Sequence, residues 1–356
     1  MPLLPLIGHE ALRQRLEEQV VRGALPASLL LHGPAGVGKQ RLALWLGQRL
    51  VCSEPNAPCG ACQHCRYALE GVHPDVRWYF PRPRLKDSDA SLEEVARDAA
   101  EAIAERMAGH GLYARPDGSH GVFVKVARLI VQQAVSTPAM ARRKVFIVGD
   151  AERMVPQLAS PEAANAFLKL LEEPLPDTTI ILTSSEPGAL LPTIRSRVVA
   201  VRVAPLPDAA VRAFLAQPAA ATAAGADQKG VTIDEMVRFA LGAPGTLLGG
   251  TDRAAVLERA RALLGAARAG RDTALRAAFA QGSSKSRGAF TDVLDAMTVL
   301  LHERTRTAVR EGDTGGAVAS ARAVGFVEDA KRSAEGNAIP QLVSAHLLRQ
   351  LRESGA

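Results

Sequence analysis

At 356 residues, with 47% hydrophobic and 22% charged residues, the chain is too long for one ordinary core and too apolar to stay unfolded, so two or three globular domains are expected. The formal net charge of +6 permits contact with nucleic acid, but only 4% of residues are aromatic and no Lys/Arg run is interleaved with them; this argues against base stacking and leaves phosphates as the contact. No apolar run nears the ~20 residues of a membrane span, and the start "MPLLPLIGHEAL" has neither the basic opening nor the long apolar core of a secretion signal, so a cytoplasmic chain without disulfides or membrane contact is expected.

"ASLLLHG" (27–33) reads as a buried strand running into a glycine-rich turn, and "KQRLALWLGQRL" (39–50) continues as a helix with Leu42, Trp45, Leu46 and Leu50 at helical spacing. Between them, Gly33-Pro-Ala-Gly36-Val-Gly38-Lys39 has the glycine and lysine spacing of a phosphate-binding loop. The glycines let backbone N–H groups approach phosphate oxygens, the helix start adds partial positive charge, and Lys39 would neutralise β/γ-phosphate charge. At the next position Gln40 stands where a hydroxyl would ligate Mg²⁺. Two readings of the loop stay open: bound nucleotide or phosphate, or a loop kept for folding with Lys39 solvated.

The four cysteines follow as C-x6-C-x2-C-x2-C: Cys52, Cys59, Cys62 and Cys65. In a cytoplasmic chain four thiolates at this spacing suit tetrahedral Zn²⁺ in a closed, structural site. An iron–sulfur cluster is the second reading and free thiols the third. His64 has no necessary role beside a complete set of four.

"DVRWYF" (75–80) reads as a strand and "PRPRLKDSDA" (81–90) as a loop. Ser91 with Glu94 forms a capping box opening a helix to about Met107, and "GHGLYARPDGSHG" (109–121) breaks it. Residues 82–121 thus read as an insertion without an assigned role. From Lys125 the order is helix, strand "KVFIVGD" (144–150), helix "PEAANAFLKLLEE" (161–173), strand "TTIILTS" (178–184), helix "LLPTIRSR" (190–197) and strand "VVAVRVAPL" (198–206). Strands alternating with helices imply a parallel sheet covered on both faces. A short helical segment with several breakers occupies 205–249, with a linker at Gly249-Gly250. Residues 250–356 then give four or five Ala/Leu/Arg-rich helices, with Leu347, Leu348 and Leu351 on one apolar face.

Asp150 ends its strand at the position of the acid that holds Mg²⁺ beside such a loop. The neighbouring position, where a hydrolytic enzyme needs a carboxylate to activate water, is Ala151. Glu152 follows, and strand alternation would turn it away. Gln40 and Ala151 are therefore two defects in one site, which a disabled ATPase explains together. "TIRSRVV" places Arg195 and Arg197 before the last strand; they read as surface ion pairs or, for Arg197, as an arginine offered in trans to a neighbour's γ-phosphate.

Taken together, "GPAGVGK", the cysteine set, "VGDAERM", "ANAFLKLLEEP" (164–174), "TSSEP", "TIRSR" and "GAPG" (242–245) make the chain resemble the delta-prime clamp-loader subunits of bacterial DNA polymerase III, a family within the AAA+ superfamily. The resemblance covers about 1–250 with motifs and the rest through helical character alone. It implies three parts: an AAA+ nucleotide-binding-type α/β domain (1–204) with a zinc module (52–65), a helical lid (205–249) and an all-α collar (250–356). It also implies Zn on the four cysteines, Arg197 as an arginine finger, and delta and gamma/tau partners in a hetero-pentamer that loads the sliding clamp on primer-template DNA. Two departures stand out: Val198 replaces the usual Cys of the motif, and "LGAPGTL" has no lid arginine for nucleotide. The expected function is a non-hydrolysing clamp-loader subunit within the polymerase holoenzyme. The alternatives are an active gamma/tau-type ATPase and a zinc-dependent DNA-binding module.

Overall fold

Five short strands form one wholly parallel sheet: β1 (Ser28–His32), β2 (Val76–Tyr79), β3 (Lys144–Val148), β4 (Thr178–Ser184) and β5 (Val199–Arg202), in the order β2-β3-β4-β1-β5. β1, β3 and β4 are buried along almost their whole length, as a parallel sheet covered on both faces requires. Alternate residues feed two separate cores. Leu29, Leu31, Val145, Ile147 and Ile181 pack with Leu42, Trp45 and Leu46 of α2 (Lys39–Val51), whereas Leu30, Phe146, Val148, Ile180 and Leu182 pack with α5 (Val124–Ala134) and α6 (Pro161–Glu172). The fold class expected from the alternation of strands and helices is the one observed.

This computed structural model describes residues 1–85, 90–114, 120–154, 161–226, 232–249, 253–280, 287–335 and 338–355. Parts of the loops at 81–90 and 109–121, and Gly250 of the expected linker, lie outside them. The chain divides into two units, Met1–Asp227 with Ala240–Gly249, and Gln228–Phe239 with Gly250–Ala356. The first also contains α1 (Glu10–Val21), α3 (Gln63–Leu69), α4 (Leu92–Ala108), the single turn α7 (Pro192–Arg195), α8 (Asp208–Leu215) and α9 (Pro218–Ala223). α10 (Ile233–Ala240) spans the division. The second unit is built on α11 (Arg253–Arg268), α12 (Arg271–Phe279), α13 (Arg287–Glu311), α14 (Thr314–Glu335) and α15 (Pro340–Glu353) around Leu263, Leu294, Met297, Val327, Leu347, Leu348 and Leu351.

α4 starts where the capping box places it: Ser91 Oγ accepts from Glu94 N, and the Glu94 carboxylate accepts from Ser91 N. At the start of β2 the buried Asp75 carboxylate accepts three backbone N–H bonds, from Ala139 (2.6 Å), Met140 (2.8 Å) and Ala141 (2.7 Å), and so fixes the approach to β3. Burial pushes this carboxyl up, but the three N–H bonds together with His73 outweigh it and hold it below the usual carboxylate range. A group held down in the fold stabilises it above its unfolded value near 3.9, and that contribution is lost as pH falls through the folded value. Asp75→Asn is therefore expected to cost about 1–3 kcal/mol at pH 7 and progressively less as pH drops below ~4. Urea melts followed by tryptophan fluorescence check this, because both tryptophans, Trp45 and Trp78, lie in the first unit.

Candidate nucleotide corner, metal centre and arginine

The carboxyl ends of β1, β3 and β4 bring three loops together, the usual place for a ligand in an open α/β sheet. The glycine-rich loop leaves β1 and enters α2 with Gly36 and Gly38 in the left-handed region (φ 76° and 96°). Lys39 is buried and donates from Nζ to Gly33 O (2.8 Å), Pro34 O (2.8 Å) and Ser185 Oγ (2.9 Å). It is not merely solvated; its ammonium is held inside the loop. The segment "GAPGTL" lies on this loop: Gly245 N donates to Gly36 O at 2.8 Å, and a Cβ on Gly36 would stand 2.5 Å from Thr246 N. Only glycine admits that approach.

Beside the loop, the Gln40 amide is engaged at both its nitrogen and its oxygen. Its Nε2 donates to Asp150 Oδ2 (3.1 Å), and its Oε1 accepts from Trp78 Nε1 (2.9 Å) and Arg106 Nη1 (3.2 Å). Asp150 itself sits in a left-handed turn (φ 47°, ψ 57°), and Asp150 N donates to Thr183 Oγ1 at 3.1 Å. The chain then enters a 3-10 turn, Ala151–Arg153, so strand alternation does not apply to Glu152. Its carboxylate turns into the site, where Oε1 accepts from Ser185 N at 3.0 Å, one hydrogen bond from Lys39's partner. Burial and the neighbouring Asp150 push the Glu152 carboxyl above its usual range, and its Oε2 is buried without a partner.

The four cysteines converge as their spacing predicts. Cys52 follows α2, Cys62 caps α3, Cys65 is buried within α3, and the four Sγ atoms lie within 4.8 Å of one another. The pairs Cys52–Cys62 (3.8 Å) and Cys59–Cys65 (3.9 Å) match the ~3.8 Å edge of a tetrahedron with metal–sulfur bonds of ~2.3 Å. Backbone N–H groups of Cys62 and Cys65 point at Cys59 Sγ (3.3 Å) and Cys62 Sγ (3.4 Å), donors suited to thiolates. Those of Cys62 and Ala61 bring the Cys59 thiol down to about 7, whereas burial pushes Cys65 up to about 12. Four such sulfurs can hold a metal ion. His64 is engaged elsewhere: His73 Nδ1 accepts from Asp75 N (3.0 Å), which leaves the proton on His73 Nε2 to be given to His64 Nδ1 at 3.0 Å. Burial, which brings His73 down to about 4, keeps it in this neutral form.

Arg197 lies after α7 and two residues before β5, whose Val199 pairs with Leu29 near the start of β1. It is therefore at the amino end of the sheet, whereas Lys39 follows the carboxyl end of β1; four residues of strand separate the levels by ~13 Å. Its Nε donates to Glu172 Oε2 (2.8 Å) and its Nη1 to Thr193 O (3.0 Å), with 30% of the side chain exposed. β5 is an edge strand, with Val199, Ala200 and Arg202 exposed.

Sequence reasoning identified the loop, Asp150 and the cysteines but missed Arg106, Trp78 and Tyr113. No motif marks them; the capping box that places α4 in register was the one available signal.

Comparison with known proteins follows the same motifs. The family model described as "DNA polymerase III, delta subunit" matches residues 8–207, more than half of the chain. The DNA polymerase III subunit delta' of Pseudomonas aeruginosa is 34% identical over 183 residues, 51% of this chain and 44% of the relative. That of Bacillus subtilis is 27% identical over 199 residues (55% and 47%), and the gamma/tau subunit of Mycobacterium tuberculosis is 29% identical over 234 residues (65% and 32%). The chain thus spans less than half the length of these curated relatives. With its glycine-rich loop, parallel sheet and family match over residues 8–207, this chain belongs to the DNA polymerase III delta-subunit family.

Proposed function

We propose that this chain is a subunit of the clamp loader of the bacterial replicative polymerase, that it does not turn over ATP by itself, and that it completes a neighbouring subunit's ATP site with Arg197. The observation that carries the reading is the separation of Arg197 from its own loop: it sits at the opposite end of the sheet from Lys39, beside an exposed edge strand, and so serves a partner rather than its own site. The corner around Gly33, Gly36, Gly38, Lys39 and Asp150 supports the first half. Its lysine is bonded to its own loop, it has no hydroxyl after Lys39, and the residue after Asp150 is Ala151 rather than a carboxylate.

On this reading residues 1–204 form the AAA+ part, 205–249 the lid and 250–356 the collar through which the chain joins delta and gamma/tau subunits in a hetero-pentamer. The sliding clamp and primer-template DNA are engaged through that complex. The ion on Cys52, Cys59, Cys62 and Cys65 is zinc, which with four protein ligands has no open position and orders the turn between α2 and α3. The isolated chain is expected to show negligible ATP turnover with or without primed DNA, and to co-purify with the other clamp-loader subunits. Sustained, DNA-stimulated hydrolysis by the purified chain alone overturns the reading.

A further inference from the structure

We propose that Arg106 is a built-in cation: together with the Gln40 amide it fills the corner in which a loop of this kind holds Mg²⁺ and leaves the corner unable to take a divalent metal. This deepens the non-hydrolysing half of the proposed function and is independent of the role given to Arg197.

The residues present do not fit Mg²⁺. That ion demands near-octahedral oxygen ligands at ~2.0–2.1 Å and keeps several waters. Here the side chain following Lys39 turns an N–H toward Asp150, so a proton donor occupies the space a cation needs. The Gln40 oxygen has no lone pair to spare, since Trp78 and Arg106 already donate to it. The amide is also wedged: a Cβ on Gly149 would lie 2.5 Å from its Cδ, Nε2 and Oε1, so the backbone before Asp150 is shaped to the amide and not to a hydrated ion.

Arg106 supplies the charge instead. Its guanidinium lies 3.2 Å from the centroid of Phe80, 3.7 Å from that of Tyr113 and 4.9 Å from that of Trp78, an aromatic enclosure that favours a cation. Burial lowers it to about 10, which leaves it protonated at neutral pH, and Asp150 is among the groups that favour its charged form. The helix is aimed deliberately. Arg82, just after β2, donates to Glu105 (2.7 Å) and Asp98 (3.2 Å) of α4, tying the helix to the strand end one residue before Arg106. The insertion at 82–121, to which the sequence assigned no role, thereby acquires one: it delivers Arg106 and Tyr113 to the corner.

The test is a titration of the full chain with Mn²⁺ followed by electron paramagnetic resonance, counting only binding that Asp150→Asn removes. The wild-type chain is expected to bind none at millimolar Mn²⁺. Gln40→Ser restores a hydroxyl but keeps Arg106, and is also expected to bind none. Gln40→Ser with Arg106→Ala is expected to gain one Asp150-dependent Mn²⁺ in the range where the other two bind none. Asp150-dependent binding by the wild type overturns the proposal. So does binding by Gln40→Ser equal to that of the double variant, or a folded double variant that binds nothing. Should the double variant fail to fold by tryptophan fluorescence, the wild type and Gln40→Ser decide between a filled corner and a merely missing hydroxyl. The ATP turnover of the isolated chain, measured separately, bears on the proposed function whatever the Mn²⁺ result.

Discussion

Arg197→Ala is expected to slow hydrolysis at the neighbouring subunit's site by about 10³-fold or more, the range seen when an arginine finger is removed from a phosphoryl-transfer site. The loss falls on the chemical step, because the guanidinium meets charge that builds on the γ-phosphate oxygens. In a reconstituted complex it appears as the disappearance of one site's share of single-turnover hydrolysis, while size-exclusion chromatography shows assembly intact. Arg197→Lys should recover little, since an ammonium cannot reproduce the planar fork. Glu172 adds a second readout. In the free chain it holds Arg197 through a partly exposed pair at 2.8 Å, and exposed pairs contribute only about 0–1 kcal/mol. Transfer of the guanidinium to a triphosphate therefore meets little opposition, and Glu172→Gln should leave turnover close to wild type. Unchanged hydrolysis in Arg197→Ala removes the trans assignment.

Replacing Cys59 and Cys62 together by serine is expected to abolish a stoichiometric zinc ion and to unfold the turn between α2 and α3. Structural zinc in isolated peptides contributes on the order of 10 kcal/mol of apparent free energy; here the effect is smaller, because α2 is also anchored in the sheet core through Leu42 and Leu46. A loss of several kcal/mol in the first unit, read by tryptophan fluorescence, with metal content measured by atomic absorption, is the expected outcome. Acid should act in the same direction. On the proposed reading thiolates would be the ligands, so metal binding would displace protons from the sulfurs that burial holds up, Cys62 and Cys65, and a chelator should strip the ion more readily as pH falls. A protein that retains full stability without metal contradicts this account.

The parts of the molecule legible in its sequence are those whose causes are local. A buried strand, three glycines and a lysine define the loop within a dozen residues, and Ser91 with Glu94 sets the start of α4. The cysteines lie within one turn-forming stretch, so spacing alone predicts their convergence. What the sequence concealed depends on contacts between distant positions. Gln40 reads as a missing hydroxyl; that its amide is filled by Trp78, Asp150 and Arg106, from 38 to 110 positions away, is a property of the fold. Glu152 was misplaced for a different reason: β3 ends at Val148 and the chain passes through a left-handed turn at Asp150 into a 3-10 turn, so strand alternation does not extend to position 152. The helix expected over 190–197 shrank to Pro192–Arg195 because the chain must turn back to start β5 beside β1.

The fit between Gln40 and Gly149 makes the present state hard to reverse. Restoring a hydroxyl at position 40 alone would strand two buried donors, the Trp78 indole and an Arg106 N–H, each at a cost of about 1–3 kcal/mol, and would open a void against Gly149. Removing Arg106 alone would leave three aromatic rings facing an empty space. Each single change at position 40 or 106 thus costs stability by itself, so the corner is entrenched by its own packing.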